Sequence, residues 1–147
     1  MANREATNPP GGECGPAAAV HAYLAALNRG SADEVVAYVS ENFVNEHTSR
    51  LGESIVGRDA YRTRLVGFLA TFAGLRYEVE RMIVAGGDVA VAYKMSATWR
   101  GAGSEGPVHR PFSIRGMFRF EVIDGLITHR VDYWDSAEFL RQVSDQR

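Results

Sequence analysis

Apolar residues recur three and four positions apart through the first half of the chain, and at every second position through much of the rest. Pro16 stands where a helix can start, Val20, Tyr23, Leu24 and Leu27 form its stripe, and Gly30 is its stop signal. Ser31 and Glu34 read as a capping box that opens a second helix, with Val35, Val36 and Val39 as its apolar face. Asn42 to Thr48 reads as extended. A third helix follows Gly57, with Tyr61, Leu65, Phe68, Leu69 and Phe72 on one stripe, and Gly74 is its predicted end.

From Leu75 the period is two. Strands are predicted at Leu75–Val84 and Val89–Arg100, joined by a Gly86-Gly87-Asp88 turn, with a loop from Gly101 to Gly106. Arg110–Val122 alternates most cleanly. Phe112, Ile114, Gly116, Phe118, Phe120 and Val122 share one face; Ser113, Arg115, Arg119 and Glu121 share the other. Ile123-Asp124-Gly125 turns into a last strand, Leu126–Trp134. Asp135 and Glu138 then cap a short C-terminal helix carrying Phe139, Leu140 and Val143. Helices followed by an antiparallel meander make an α+β arrangement. The helices must cover one face of a curved, mostly antiparallel sheet, which leaves a cone with an internal pocket for a small molecule. In Val89–Arg100, Lys94 and Ser96 share one face and Val91, Tyr93, Met95 and Trp99 the other. Alternation alone leaves open which of the two lines the interior; the apolar pattern favours the face with Tyr93 and Trp99.

At 147 residues the chain has the length of one domain. Residues 1–15, rich in Asn, Pro and Gly, read as a disordered lead-in to a domain over residues 16–147. Apolar residues at 46% and charged residues at 23% are ordinary globular values, so disorder of the whole chain and collagenous or coiled-coil architectures are excluded. Sixteen Lys and Arg against eighteen Asp and Glu give a net charge of −2, which leaves no basic footprint for nucleic acid or an anionic membrane. No apolar run reaches the ~18 residues of a membrane helix, and residues 1–15 lack the apolar centre of a secretory signal. Cys14 is the sole cysteine, so an internal disulfide and a CxxC metal site are excluded, and a reducing cytoplasm is the fitting compartment. HExxH, GxSxG and Gly-rich phosphate motifs are absent.

Candidate chemistry gathers at the last strand and the first extended segment. Asp132 shares a strand face with Thr128, Arg130 and Trp134, and should lie near Phe118 and Phe120. It is either a general acid or base, or a structural partner neutralised by Arg130. His47 titrates near neutrality and suits proton transfer, with Asn45 on the same face two residues away. Tyr23, on its helix stripe, is either core or a hydrogen-bond donor to substrate. His129 faces away from Asp132. Met117, Val131 and Tyr133 give the outer sheet face an apolar patch, which predicts a homodimer.

The run Tyr23-Leu24-Ala25-Ala26-Leu27-Asn28-Arg29-Gly30 resembles the opening of the nuclear-transport-factor-2-like superfamily, as do Asn42-Phe43-Val44-Asn45 and Gly57-Arg58-Asp59-Ala60. Val122 to Ile127 and Asp132-Tyr133-Trp134-Asp135 resemble its ending, so the likeness spans about residues 16 to 143. That superfamily includes SnoaL-like polyketide cyclases, limonene epoxide hydrolases and ketosteroid isomerases. The resemblance implies three helices packed on a curved sheet around a deep pocket, a homodimer, and no metal or organic cofactor. Asp132 matches the acid or base of the cyclases and epoxide hydrolases, and Tyr23 the isomerases' oxyanion donor. His47 stands at the isomerases' aspartate base and at the hydrolases' water-holding asparagine. Asn45 matches an asparagine of the cyclases. Lys94 and Ser96 stand where the hydrolases carry an arginine and a second aspartate, which places both inward, and Phe118 replaces a cyclase histidine.

The expectation is a cofactor-independent acid/base enzyme acting on a small, largely apolar, polyketide-like or steroid-like molecule. Its chemistry would be cyclisation or isomerisation beside a carbonyl, or water addition to an epoxide. Asp132, His47 and Tyr23 would be catalytic. Asn45, Lys94, Ser96, Arg130, Phe112, Ile114, Phe118, Phe120 and Trp134 would contact substrate. The alternative is a non-catalytic ligand-binding or assembly module of the same fold.

Overall fold

The computed structural model describes residues 15–103 and 105–144. Among them run α1 (Pro16–Arg29), α2 (Ala32–Val36), β1 (Val39–His47), β2 (Ile55–Val56), α3 (Arg58–Thr71), β3 (Phe72–Ala85), β4 (Asp88–Gly103), β5 (Gly106–Ile123), β6 (Leu126–Trp134) and α4 (Ser136–Val143). The fold is α+β, as expected. The sheet order is β2-β1-β6-β5-β4-β3, antiparallel throughout except for the parallel pair β1–β6.

Local chemistry explains the helix ends. Gly15 precedes the first turn of α1, and Gly30 closes it at φ 73°, a left-handed position that glycine adopts at no steric cost. The Ser31 side chain accepts a hydrogen bond from the Glu34 N–H, so the capping site read from the sequence does cap α2. Asp135 does the same for α4, accepting from the Ala137 and Glu138 N–H groups. All of the lead-in except Gly15 lies outside the described residues.

Several boundaries differ from the sequence reading. α2 ends at Val36, and Val39, read as part of its apolar face, opens β1 instead. α3 stops at Thr71 rather than running to Gly74, and Phe72 joins the sheet opposite Trp99. Its ring still packs on Phe68, with centroids 4.8 Å apart, so the apolar stripe continues across the change of backbone. The predicted loop at Gly101–Gly106 is mostly ladder, with Gly101 opposite Val108 and Gly103 opposite Gly106. Backbone pairing does not require the alternation that marks the rest of the strand.

β4 settles which of its faces is internal. Val91, Tyr93, Met95 and Ala97 are buried, Lys94 is exposed, and Ser96 is half-buried beside Ser113 and Arg76 on the outer face. Lys94 and Ser96 therefore do not reach the interior. An ammonium has no reason to desolvate where an apolar set of the opposite phase is available. The even face of β5 is internal as predicted, with Phe118 and Phe120 fully buried. These rings pack with Ala19, Val20, Tyr23, Val89 and Val91 in the solid part of the core. On the outer face Met117 and Tyr133 are exposed, but Val131 is fully buried between Glu46 and Arg119 in the register. The outer apolar patch is thus smaller than expected. No helix among the described residues is long and apolar enough to cross a membrane.

Candidate active site

The parallel pairing of β1 with β6 assembles the site. It sets Asn45 beside Arg130 and His47 beside Asp132, and all four side chains turn to the inner face. β5 adds Phe120 beside Arg130 and Phe118 beside Asp132. Two polar side chains from each of two strands thereby meet beside the apolar rings of a third.

Asp132 is 6% exposed. The Tyr93 hydroxyl donates to its Oδ1 at 2.6 Å, and His47 Nδ1 lies 3.7 Å from Oδ2. Gly116 stands opposite Tyr93 in the sheet, where a Cβ would collide with the Tyr93 hydroxyl and lie 2.8 Å from the Tyr133 carbonyl. A mid-strand glycine is therefore required for Tyr93 to reach the acid. Burial raises the Asp132 pKa above the usual carboxylate value, while the Arg130 charge and the Tyr93 hydrogen bond pull the other way. Arg130 is not bonded to Asp132. Its Nε donates to Asn45 Oδ1 at 2.9 Å, its Nη1 donates to the Tyr23 hydroxyl at 3.0 Å, and its guanidinium lies 4.9 Å from the Phe118 ring centroid. The cation acts on the acid through space.

His47 is surrounded by donors. The Trp134 indole N–H points at Nδ1 from 3.3 Å. Because Asn45 Oδ1 accepts from Arg130, the Asn45 amide N–H group faces His47 Nε2, at a long 3.5 Å. A neutral imidazole has one lone pair, so it binds one of these donors at a time, and a protonated ring would bind neither. Burial first, then the charges of Arg130 and Arg64, pull the His47 pKa from 6.5 to about 4. The sign follows directly: the unfolded chain takes up a proton below pH 6.5, the folded chain only near pH 4, so stability is lost as pH falls through that window. The loss between pH 7 and pH 5 should be about 2 kcal/mol. Asp132 tilts the balance in the opposite sense, because the fold favours its protonated form. Urea unfolding of wild type and His47→Gln at both pH values isolates the histidine. Equal pH dependence in the two proteins would refute the assignment.

Behind this pair lies a chain of donors. Arg130 can only donate, so the Tyr23 oxygen accepts from it, and Tyr23 and Tyr61 hydroxyls lie 2.5 Å apart. Tyr23 is fully buried and does not line the cavity, whereas Tyr61 does. With Tyr23 donating to Tyr61, the Tyr61 proton is left for whatever occupies the cavity. The candidate donor read from the sequence thus sits one step behind the one that can touch a ligand. Tyr61 was legible as part of the α3 stripe but looks like core there.

The cavity holds about 540 Å³. Leu27, Leu65, Phe68, Phe72, Met95, Phe112, Ile114 and Phe139 give it apolar walls, and Trp134, Asn45, His47, Arg130, Asp132, Tyr77 and Tyr93 supply polar atoms. Arg50, Leu51, Gly52, Glu53 and Arg64 also line it, from the turn after β1 and from α3. Of the predicted contact residues, Phe112, Ile114, Trp134, Asn45 and Arg130 line the cavity. Phe118 and Phe120 stand behind its wall, and Lys94 and Ser96 lie outside. Among the described residues no group of three or more His, Cys, Asp or Glu side chains could hold a metal.

Among solved structures, a proposed polyketide cyclase from Xanthomonas campestris pv. campestris superposes with a TM-score of 0.73 at 24% identity, covering 88% of this chain and 96% of its own. A proposed SnoaL-like polyketide cyclase from Shewanella denitrificans OS-217 gives 0.79 at 16% identity, covering 89% and 98%. AclR, a proposed hydroxylase from Streptomyces galilaeus, gives 0.70 at 21% identity, covering 86% and 92%. At these identities the likeness establishes the fold, which is that of nuclear transport factor 2 and ketosteroid isomerase. No curated protein matches the chain. The SnoaL-like domain family, however, matches residues 20–130, from the first stripe of α1 to the buried arginine of β6, and the chain belongs to that family.

Proposed function

We propose that the chain is a cofactor-independent enzyme that moves a proton beside a carbonyl of a small, largely apolar molecule, as in an aldol cyclisation or an isomerisation. One observation carries this reading: a buried carboxylate with a raised pKa faces an apolar cavity, in contact with a histidine kept neutral. Burial makes the Asp132 carboxylate a stronger base than an exposed one. It takes the proton from the carbon next to the carbonyl, and the electron pair moves onto the carbonyl oxygen. Tyr61 donates to that oxygen, with Tyr23 and the Arg130 cation polarising it from behind. In an isomerisation, protonated Asp132 then returns the proton to a different carbon of the enolate. In a cyclisation the enolate carbon first bonds to a second carbonyl carbon of the same molecule, whose electron pair moves onto its oxygen, and protonated Asp132 gives its proton to that alkoxide. The epoxide route has less support, because Lys94 and Ser96, which would have to supply its second polar centre, are not in the cavity. The similar structures include both proposed cyclases and a proposed hydroxylase, so the fold alone does not choose the reaction. The reading also includes a cytoplasmic homodimer that pairs the outer sheet face through Met117 and Tyr133.

The test needs no native substrate. 2-Tetralone carries acidic hydrogens beside its carbonyl, and their exchange in D2O is read by mass spectrometry. Its occupancy is read from quenching of Trp134, which lines the cavity. Wild type should accelerate exchange, and Asp132→Asn should lose ~10²-fold or more while still binding. A ketone that binds yet exchanges no faster than free in solution would leave the ligand-binding module as the better account.

A further inference from the structure

The charges lining the cavity do not balance. Three guanidinium groups, Arg50, Arg64 and Arg130, face two carboxylates, Glu53 and Asp132, and His47 stays neutral. The lining is therefore positive although the whole chain carries −2. Each cation is also poorly compensated. Arg130 is 6% exposed, and the acceptors it holds, Asn45 Oδ1 and the Tyr23 hydroxyl, are neutral. Arg64 is held over the cavity by the Glu53 backbone carbonyl at 2.7 Å, and more loosely by the Glu53 carboxylate at 3.2 Å. That carboxylate is 83% exposed, so water screens most of what it offers. Arg50 lies on the same turn, is exposed, and among the described residues has no carboxylate partner. The turn is closed by the Gly52 N–H donating to the Ser49 carbonyl at 3.0 Å, and Gly52 packs on the His47 side chain, which fixes Arg50 near the site.

We propose that the cavity takes an acid: a small aromatic or alicyclic carboxylate whose apolar body lies along Leu65, Phe68 and Phe112, and whose anionic end sits between Arg50 and Arg64. A guanidinium matches the planar, bidentate geometry of a carboxylate, and both arginines line the same apolar cavity. The deep end suits that group less well, because an anion beside Arg130 also meets the like charge of Asp132. The assignment rests on the proton-transfer reading for one point only: it fixes which end of the substrate reaches Asp132. The carboxylate holds the mouth, and the carbonyl to be enolised points inward.

Calorimetric titration with naphthalene-2-acetate and with its neutral amide tests this directly. The acid should bind about tenfold tighter than the amide, with a preference that shrinks at high salt. In the Arg50→Gln/Arg64→Gln double variant the two should bind within about twofold of each other, with amide affinity unchanged as the sign of an intact cavity. Arg50→Gln alone leaves the Arg64–Glu53 contact in place and should lose part of the preference. Equal or tighter binding of the amide to wild type, failure of both compounds to bind, or an undiminished preference in the double variant would each overturn the proposal. 2-Tetralone has no carboxylate, so loss of its exchange reaction leaves the acid preference standing, and the reverse holds as well.

Discussion

Phe118→Ala should cost ~3–5 kcal/mol of folding stability, the upper range for a buried ring removed without collapse. Phe118 is fully buried and sits at the centre of an aromatic cluster. Its ring centroid is 4.4 Å from Tyr93, 5.3 Å from Tyr77 and 5.3 Å from Phe120. It also lies under the Arg130 guanidinium at 4.9 Å, so truncation removes the polarizable face beside a buried cation. Because Phe118 stands behind the cavity wall, the void it leaves is internal and has no solvent to fill it cheaply. For a chain of this length the melting temperature should fall by roughly 6–20 °C, at ~2–4 °C per kcal/mol. A drop of only a degree or two, with a changed ligand preference, would mean that the ring borders open space.

How much of this could be read from the chain depends on whether the determinant is local. The hairpin between β5 and β6 was legible because Asp124 and Gly125 take φ 51° and 78°, the left-handed values that an Asp-Gly turn supplies. The inner face of β5 was legible because five large apolar side chains recur at period two. Family likeness placed Lys94 and Ser96 inward, whereas the apolar pattern alone placed Tyr93 there, and the pattern was right. The partners of Arg130 were not legible. On its own strand the nearest charged group of the same face is Asp132, two residues on, which suggests an ion pair. The parallel pairing with β1 instead brings Asn45 to its side, and α1 brings the Tyr23 hydroxyl. Neither approach leaves a trace in spacing, since both depend on elements ~85–107 positions away. Arg50 and Arg64 escaped for a related reason. One stands in an aperiodic turn and the other on the polar side of α3, where a charge reads as an ordinary solvated residue.

The arrangement of Asp132 gives opposite signs for its two roles, and the stability of Asp132→Asn reads the sign. A structural partner of Arg130 would leave a buried cation uncompensated when removed, at a cost of about 3–5 kcal/mol. The observed geometry predicts otherwise. The carboxylate's raised pKa means that its ionised form is worse off in the fold than in the unfolded chain, and that balance already includes the attraction of Arg130. An amide of the same shape resembles the protonated acid. It keeps an oxygen to accept from Tyr93, and it leaves Arg130 on Asn45 and Tyr23. Asp132→Asn should therefore melt at or above the wild-type temperature at pH 7. The advantage should narrow as pH falls, because the wild-type carboxylate then protonates and becomes the amide's equal. Proton transfer should meanwhile drop by ~10²-fold or more, about 2.7 kcal/mol on the barrier. Loss of activity with stability kept is the signature of a group held in the cavity for chemistry at some cost to the fold. Loss of both would place Asp132 among the residues that hold β1 and β6 together, and the base would have to be sought in His47.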